Sequence, residues 1–176
     1  VPAIYGKKPR TKTPEQVIAE LEIIDKENIA GQVFFADDNL IGNKKNLKLE
    51  LLPALIDWRK RTNSSLSFIT QLTINLADDE ELMQLLSIAG FRQVFIGIET
   101  PNKDSLMAAH KTQNLFRNIL DSIDKIQQSG FIISAGFIVG FDTDGQNIFR
   151  QQMEFIRQSK IPFPIVNMLK APPGTV

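Results

Sequence analysis

The sequence contains no cysteine, and it contains a single histidine, His110. Cysteine thiolates hold iron–sulfur clusters, and thiolate and imidazole groups together hold most zinc and haem centres. A serine triad would need His110 beside a strained Gly-x-Ser-x-Gly turn, and the sequence has no such turn. We therefore expect no catalytic residue of the cysteine or serine type and no zinc, haem or iron–sulfur centre held by this chain's own side chains, and we assign no metal ligand at this point.

Neither sign of charge dominates, because 20 Lys and Arg residues face 20 Asp and Glu residues. A balanced chain offers no general attraction to nucleic acid or to an anionic membrane surface. No apolar run approaches the ~20 residues of a membrane span, and residues 1–6 match neither a secretory signal nor a basic leader. We expect a cytoplasmic protein with no nucleic-acid partner, and the 176 residues suit one domain, 1–176.

Short apolar runs alternate with amphipathic stretches of helical length along the whole chain. Such alternation predicts repeated βα units, a parallel sheet and outer helices. The predicted strands are residues 32–36, 66–70, 93–99, 131–139 and 164–169. The predicted helices begin at a Thr13 capping box and then cover residues 43–61, a stretch from the acidic run 78–81 to residue 89, 103–108, 115–129 and 146–159.

The strand ends favour a barrel over an open dinucleotide-binding sheet. The turn after the first predicted strand reads Ala-Asp-Asp-Asn-Leu, without the glycine cluster that such a sheet requires. Polar residues instead close every strand, and in parallel α/β barrels that rim binds ligands. These residues are Asp37, Asp38, Thr70, Gln71, Glu99, Thr100, Asp142 and Asn167. The fold class we predict is α/β: a partial TIM-like barrel with about five parallel strands, over residues 31–169.

Two further patterns have structural explanations. Four acidic residues, 78–81, stand at the start of a predicted helix, where they suit the helix dipole and cap free amides better than they suit a metal. Phe34, Phe95 and Phe137 lie in predicted strands, and we interpret all three as barrel core.

Four segments with strand-like and turn-like residues stand out along the chain: VFFADDN (33–39), VFIGIETP (94–101), GFIVGFD (136–142) and the stretch 169–175, which ends in Pro-Gly-Thr. These segments resemble the strand motifs of radical S-adenosylmethionine (SAM) enzymes, and most of all the subgroup with an upstream cobalamin-binding domain. They occur in the family's order, with suitable spacing, over nearly the whole chain.

In that family, a Cys-x-x-x-Cys-x-x-Cys loop after the first strand holds a [4Fe–4S] cluster, and the cluster cleaves SAM to a radical. The resemblance implies that residues 1–12 are the trailing end of this loop and that the chain is a fragment, strands two to six, of such a core. Its parent would methylate or rearrange an unactivated carbon. The fragment alone is expected to be inactive, to bind neither cluster nor cobalamin, and to bind SAM weakly.

The resemblance also implies positions for SAM. The methionine amine would lie near the turn formed by Ala36, Asp37 and Asp38, whose carbonyls and carboxylates accept hydrogen bonds. Glu99 would accept hydrogen bonds from the ribose hydroxyls. Lys111 would face the SAM carboxylate, although a solvated surface lysine is the alternative.

The adenine is expected on the fourth predicted strand and beside the fifth. Glycines at a strand end allow close approach of a flat ring, so Gly136 and Gly140 would flank it while Ile138 offers an apolar face. Main-chain groups of Met168 and Leu169 would complete the adenine edge. The resemblance thus predicts one site shared by two neighbouring strands.

Thr70 and Gln71 are expected to point toward the same mouth, as SAM or substrate contacts. The family acts on small metabolites, lipids and tetrapyrroles, and these residues do not select among them. Two alternatives stay open at this point. One is a barrel enzyme that uses Asp37, Asp38 and Glu99 as a magnesium or acid–base site. The other is a non-catalytic scaffold, and either form could oligomerise through exposed barrel edges.

Overall fold

A computed structural model describes residues 11–27, 31–108 and 117–170. Five parallel strands form one sheet in chain order: β1 (Gln32–Phe35), β2 (Ser67–Leu72), β3 (Phe91–Glu99), β4 (Ile132–Val139) and β5 (Phe163–Met168). A doubly wound sheet would reverse its strand order, whereas consecutive order is that of a barrel wall. The predicted arc of a barrel is therefore confirmed, with strand bounds within two residues of those predicted.

Helices lie between the strands: α1 (Pro14–Lys26), α2 (Leu52–Thr62), α3 (Glu80–Ala89), α4 (Lys103–Ala108), α5 (Ile119–Gln128) and α6 (Ile148–Ser159). Thr13 and Gln16 form the predicted capping box at α1, with the Thr13 amide 2.9 Å from Gln16 Oε1. None of the described helices is both long and apolar enough to cross a bilayer. The predictions for residues 1–10, His110 and Lys111 lie outside the described residues.

The helix predicted over residues 43–61 is divided. A 3₁₀ turn covers Leu40–Asn43, one α-helical turn follows, and a π-helical turn at Leu47–Leu51 leads into α2. The amide of Leu52 donates to the carbonyl of Leu47, five residues back. Pro53 follows directly and has no N–H to continue an i→i−4 ladder. The wider turn therefore accommodates the proline at the start of α2.

The main hydrophobic core lies between the sheet's outer face and the helices. Phe68 on β2 is fully buried there, with ring centroids of Phe35, Phe91 and Trp58 at 5.0, 5.3 and 6.5 Å. Phe137 on β4 is also buried and packs edge-on against Phe155 of α6 at 6.0 Å. The prediction that Phe137 belongs to the core is confirmed.

The sheet's inner face is open among the described residues, and this overturns one core prediction. Phe34 lies on that face and is 55% exposed, so its assignment to the core is wrong. Phe95 also faces inward and is half-buried. β5 is exposed along its whole length, on both faces. β1 and β5 are the edges of the sheet, and oligomerisation through them stays a prediction.

The acidic run at residues 78–81 caps α3 as predicted and also forms ion pairs with distant elements. Asp79 Oδ1 accepts the Leu82 amide at 3.1 Å. Lys48 Nζ lies 2.7 Å from the same oxygen. Arg117 donates two hydrogen bonds to the Asp78 carboxylate, at 3.1 and 2.6 Å. These hydrogen bonds from Arg117 hold the pKa of Asp78 below its ordinary value.

We expect Asp78→Asn to lower the free energy of unfolding at neutral pH by about 0.2–1 kcal/mol, a modest loss because the carboxylate is more than half exposed. Because the pKa of Asp78 is lowered in the folded state, the ion pair stabilises the protein above the carboxyl's ordinary pKa. That stabilisation disappears as the pH falls through the folded-state value. Urea unfolding at a series of pH values, followed by Trp58 fluorescence, should show the gap to wild type closing in acid. A difference in unfolding free energy between wild type and Asp78→Asn that does not change with pH would contradict this prediction.

Candidate functional site

A cavity of about 190 Å³ lies on the inner face, at the carboxyl ends of the strands. Typical pockets for drug-sized ligands enclose roughly 300–1,000 Å³. The described wall therefore accommodates part of a ligand of SAM's size. The cavity is lined by Asp38, Gln71, Leu72, Thr73, Phe95, Gly97, Glu99, Gly136, Phe137, Ile138 and Asn167.

A pair of glycines leaves a slot in this wall. Gly97 on β3 pairs with Gly136 on β4, and because paired residues of parallel strands point to the same face, the wall has no side chain at either position. A Cβ atom built on Gly136 would lie 3.0 Å from Cζ of Phe95. Ile138 lies one step further along the same face, beside Asn167 of β5. The result is a slot bordered by the Phe95 ring, in a cavity whose lining combines apolar side chains with the polar Asp38, Gln71 and Glu99.

Glu99 closes β3 in an unusual backbone conformation. Its φ is +70°, and the Thr100 amide donates to the Ile98 carbonyl at 3.0 Å. A two-residue hydrogen bond across a residue of positive φ is the rare, strained form of γ-turn. Strain of this kind costs on the order of 1–3 kcal/mol and is concentrated at functional sites. The turn places Glu99 in the cavity lining, beside the glycine slot.

The end of β1 forms the opposite side of the cavity. The Asp37 amide donates to the Phe35 carbonyl at 2.9 Å, which bends the chain at Ala36. Asp37 and Asp38 are both exposed after this bend, and Asp38 lines the cavity. Asn39 Oδ1 accepts the Thr73 amide at 3.2 Å, so the turn is tied to the end of β2. An exposed carboxylate thus stands across the cavity from Glu99.

The structure brings five of the predicted site residues together in the cavity lining: Asp38, Gln71, Glu99, Gly136 and Ile138. Five others lie at the same rim without lining the cavity: Ala36, Asp37, Gly140, Met168 and Leu169. The last three are mutual neighbours, since the Leu169 amide donates to the Val139 carbonyl at 2.8 Å and a Cβ on Gly140 would meet both side chains at 3.8 Å.

The structure places Thr70 differently from the prediction. Its side chain is fully buried, and its hydroxyl donates to the Phe35 carbonyl at 3.3 Å. Side chains alternate along a strand, so when Gln71 faces the cavity Thr70 faces the helices. The prediction that Thr70 contacts SAM or substrate is therefore wrong. The Thr70 hydroxyl instead joins β1 and β2.

Sequence reasoning missed Phe95, Gly97, Leu72 and Thr73 as lining residues, and it placed Asn167 at the ligand-binding rim without assigning it a contact. Gly97 and Phe95 lie two and four residues before Glu99 on the same strand. The two-residue period of a strand would have found both once Glu99 was assigned to the cavity. Thr73 follows β2, and no pattern in the sequence marks it.

The described residues do not form a metal site of either kind considered above. In the ranges 11–27, 31–108 and 117–170, no three Asp, Glu or His side chains are grouped so as to hold a metal ion. The alternative of a magnesium site at Asp37, Asp38 and Glu99 therefore gains no support. A [4Fe–4S] cluster does not fit this chain's own residues either, because its ligands are thiolates and the sequence has no cysteine.

Comparison with known proteins gives consistent results. The chain is 42% identical over 175 residues to the hopanoid C-2 methylase of Rhodopseudomonas palustris (strain TIE-1), covering 99% of this chain and 33% of that protein. It is 42% identical to an uncharacterized methyltransferase of Synechocystis sp. (strain ATCC 27184 / PCC 6803 / Kazusa), with coverages of 98% and 32%. The chain thus spans about a third of the length of the curated relatives it matches.

Among solved structures, the radical SAM methyltransferase TsrM from Kitasatospora setae, with cobalamin and a [4Fe–4S] cluster bound, matches with a TM-score of 0.69. That match covers 97% of this chain and 33% of TsrM at 16% identity, so it shows a shared fold. The family model described as the radical SAM superfamily matches residues 1–156. The resemblance seen in the strand motifs is confirmed, and the chain belongs to the radical SAM superfamily.

Proposed function

We propose that this chain forms the SAM-facing wall of a cobalamin-dependent radical SAM methyltransferase. The observation that carries the proposal is the slot between Gly97 and Gly136 with the Glu99 carboxylate beside it, in a chain of this family. Both curated relatives reported above are methyltransferases, and TsrM is a methyltransferase with cobalamin bound. Methylation is therefore favoured over rearrangement for the parent reaction.

The side chains around the slot supply groups for each part of SAM. The adenine ring would lie against Ile138 and beside Gly97 and Gly136, with the Phe95 ring as its neighbour, since neither glycine contributes a side chain to the wall. The ribose hydroxyls would donate to Glu99, since a carboxylate accepts hydrogen bonds more strongly than a neutral group. The methionine amine would donate to Asp38 and to the carbonyl of Ala36. Each contact uses a group that the cavity already presents or that borders it.

The chain's own contribution is binding and orientation. Because it has no thiolate, it takes no part in holding an iron–sulfur cluster, and no cobalamin contact can be assigned to its side chains. We expect SAM to bind this chain with a dissociation constant of roughly millimolar order, since few groups anchor it. In the parent, the remaining anchors would come from the cluster.

The substrate we propose is an apolar small molecule of the lipid or tetrapyrrole class. The inner wall carries exposed apolar side chains on both edges, including Phe34 on β1 and Phe163 and Ile165 on β5. Large exposed apolar surface on a concave face is typical of sites for apolar ligands. The relative from Rhodopseudomonas palustris is a hopanoid methylase, which agrees with this class.

Glu99→Gln tests the proposed function. The amide keeps the shape of the side chain but loses the charge, so we expect SAM affinity to fall roughly three- to tenfold. NMR titration of the 176-residue chain with SAM measures the change. The control is Glu50→Gln, an exposed glutamate in the π-helical turn before α2, which should leave affinity unchanged. Absence of SAM binding to wild type, or equal affinities of wild type and Glu99→Gln, would refute the proposal.

A further inference from the structure

The loops that follow β3 and β4 are joined by a small hydrogen-bonded cluster, the β3–β4 clip, formed by Asn102, Ser105, Thr143 and Asp144. Ser105 of α4 is fully buried, and its hydroxyl donates to Asp144 Oδ1 at 3.0 Å. The same hydroxyl lies 2.7 Å from Thr143 Oγ1. Asn102 Nδ2 donates to the Thr143 carbonyl at 3.2 Å. The two loops are thus connected by polar contacts at the rim of the cavity.

Asp144 connects the clip to the main chain at the end of β4. Its Oδ2 atom accepts the amides of Gly140 at 2.8 Å and Phe141 at 3.0 Å. From the other side, Gln152 of α6 is buried and its Nε2 donates to the Ile138 carbonyl at 2.6 Å. The main chain of residues 138–141, at the end of β4 beyond Gly136, is therefore held from two directions.

The clip is also continuous with Glu99. Thr100 follows Glu99 and is fully buried, and its Oγ1 accepts the Asn102 amide at 3.2 Å. Asn102 Oδ1 in turn accepts the Asp104 amide at 3.0 Å, at the start of α4. Strained backbone such as the γ-turn at Glu99 persists only where its surroundings over-determine it. The hydrogen bonds of Thr100 and Asn102 provide that constraint, and Asn102 also donates to the Thr143 carbonyl of the clip.

We infer that Ser105 is a positioning residue: acting through the β3–β4 clip, it fixes the Glu99 carboxylate relative to Ile138 in the cavity lining. This inference rests on the proposed function, because it assigns ribose to Glu99 and adenine to Ile138. Ser105 is fully buried and does not line the cavity, so it acts on the ligand through Asp144 and through the turn at Glu99.

A purely structural role for Ser105 gives a different expectation. If the hydroxyl only stabilised the fold, its loss would weaken all ligands equally or none of them. If the Ser105 hydroxyl positions Glu99, removing it should lower the affinity for ligands that carry ribose hydroxyls more than the affinity for ligands that lack them. The discriminating quantity is the ratio of the affinities of adenosine and 2′,3′-dideoxyadenosine, two probes that share the base and differ in those hydroxyls.

The experiment is an NMR titration of the 176-residue chain with both probes. Wild type is expected to bind adenosine roughly tenfold more tightly, a preference that charge-assisted hydrogen bonds to Glu99 would supply. In Ser105→Ala this ratio should fall to roughly threefold or less, with the dideoxyadenosine affinity changed less than about twofold. The control is Ser129→Ala, whose hydroxyl donates to the Lys125 carbonyl one turn back and takes no part in the clip, so the ratio should stay unchanged.

Two further variants keep the test decisive. Asp144→Asn breaks the clip from the other loop and should lower the ratio in the same way, so it replaces Ser105→Ala if that variant does not fold. Adding Ser105→Ala to Glu99→Gln should produce little further loss, since the carboxylate it positions is gone. Equal weakening of both probes, or an unchanged ratio, overturns the inference while the proposed function stands. Absence of adenosine binding to wild type overturns the proposed function and the inference with it.

Discussion

Replacing Phe68 with alanine should lower the free energy of unfolding by about 3–5 kcal/mol. Phe68 is fully buried, and the rings of Phe35 and Phe91 lie at 5.0 and 5.3 Å from its own. Arg59 lies over its face with Cζ 5.8 Å from the centroid, so the substitution also removes a cation–π contact. β2 has a paired strand on each side. The neighbouring elements therefore cannot move to fill the space that the removed Phe68 ring leaves.

Urea unfolding measures this loss directly, and Trp58, the single tryptophan, reports on it because its ring centroid is 6.5 Å from Phe68. Phe149→Ala is the control, since Phe149 is 65% exposed on α6. A substitution at such a surface position usually changes stability by less than about 0.5 kcal/mol. A loss below about 1 kcal/mol in Phe68→Ala would show that Phe68 is not at the centre of the core.

Replacing Gly136 with valine should weaken SAM binding by at least roughly thirtyfold, the equivalent of about 2 kcal/mol of overpacking. A single Cβ at this position would already be 3.0 Å from Cζ of Phe95. The two further methyl groups of valine would enter the slot between Gly97 and Gly136, where we place the adenine. The ligand could then no longer lie against the strand.

Gly42→Val is the comparison for this experiment, because a Cβ on Gly42 meets nothing nearer than Asn39 Nδ2 at 3.9 Å. SAM titration of both variants, with thermal unfolding as a check on the fold, separates loss of the slot from loss of the protein. If Gly136→Val bound SAM as tightly as wild type, the adenine would have to lie elsewhere.

The order and type of the five strands could be predicted because hydrophobic runs and helical periodicity are local properties of the chain. The face of the sheet to which each side chain points could not be predicted equally well. Thr70 and Gln71 are adjacent at the end of β2, and the alternation of a strand allows only one of them to face the cavity. The run Val-Phe-Phe in β1 is apolar on both faces, so it gave no indication that Phe34 would be exposed.

Much of the candidate site depends on contacts between residues far apart in sequence. Glu99 could be recognised from its motif, but its positive φ could not, since glycine is the usual residue in such a conformation. The same holds for Arg117, which pairs with Asp78 across 39 positions, and for Ser105 and Asp144. Such pairs depend on how the loops pack once the sheet has formed, and a single sequence carries no pattern for them.

The consecutive order of the strands also bears on how this protein folds. Within residues 31–108 and 117–170, each strand pairs with the next strand along the chain, and each of these pairings closes a loop of roughly 20–40 residues. The entropy of loop closure is therefore overcome in several small steps rather than one large one. Assembly can proceed one βα unit at a time, and β2 and β3, which have neighbours on both sides and the largest aromatic cluster, are the natural place for it to begin.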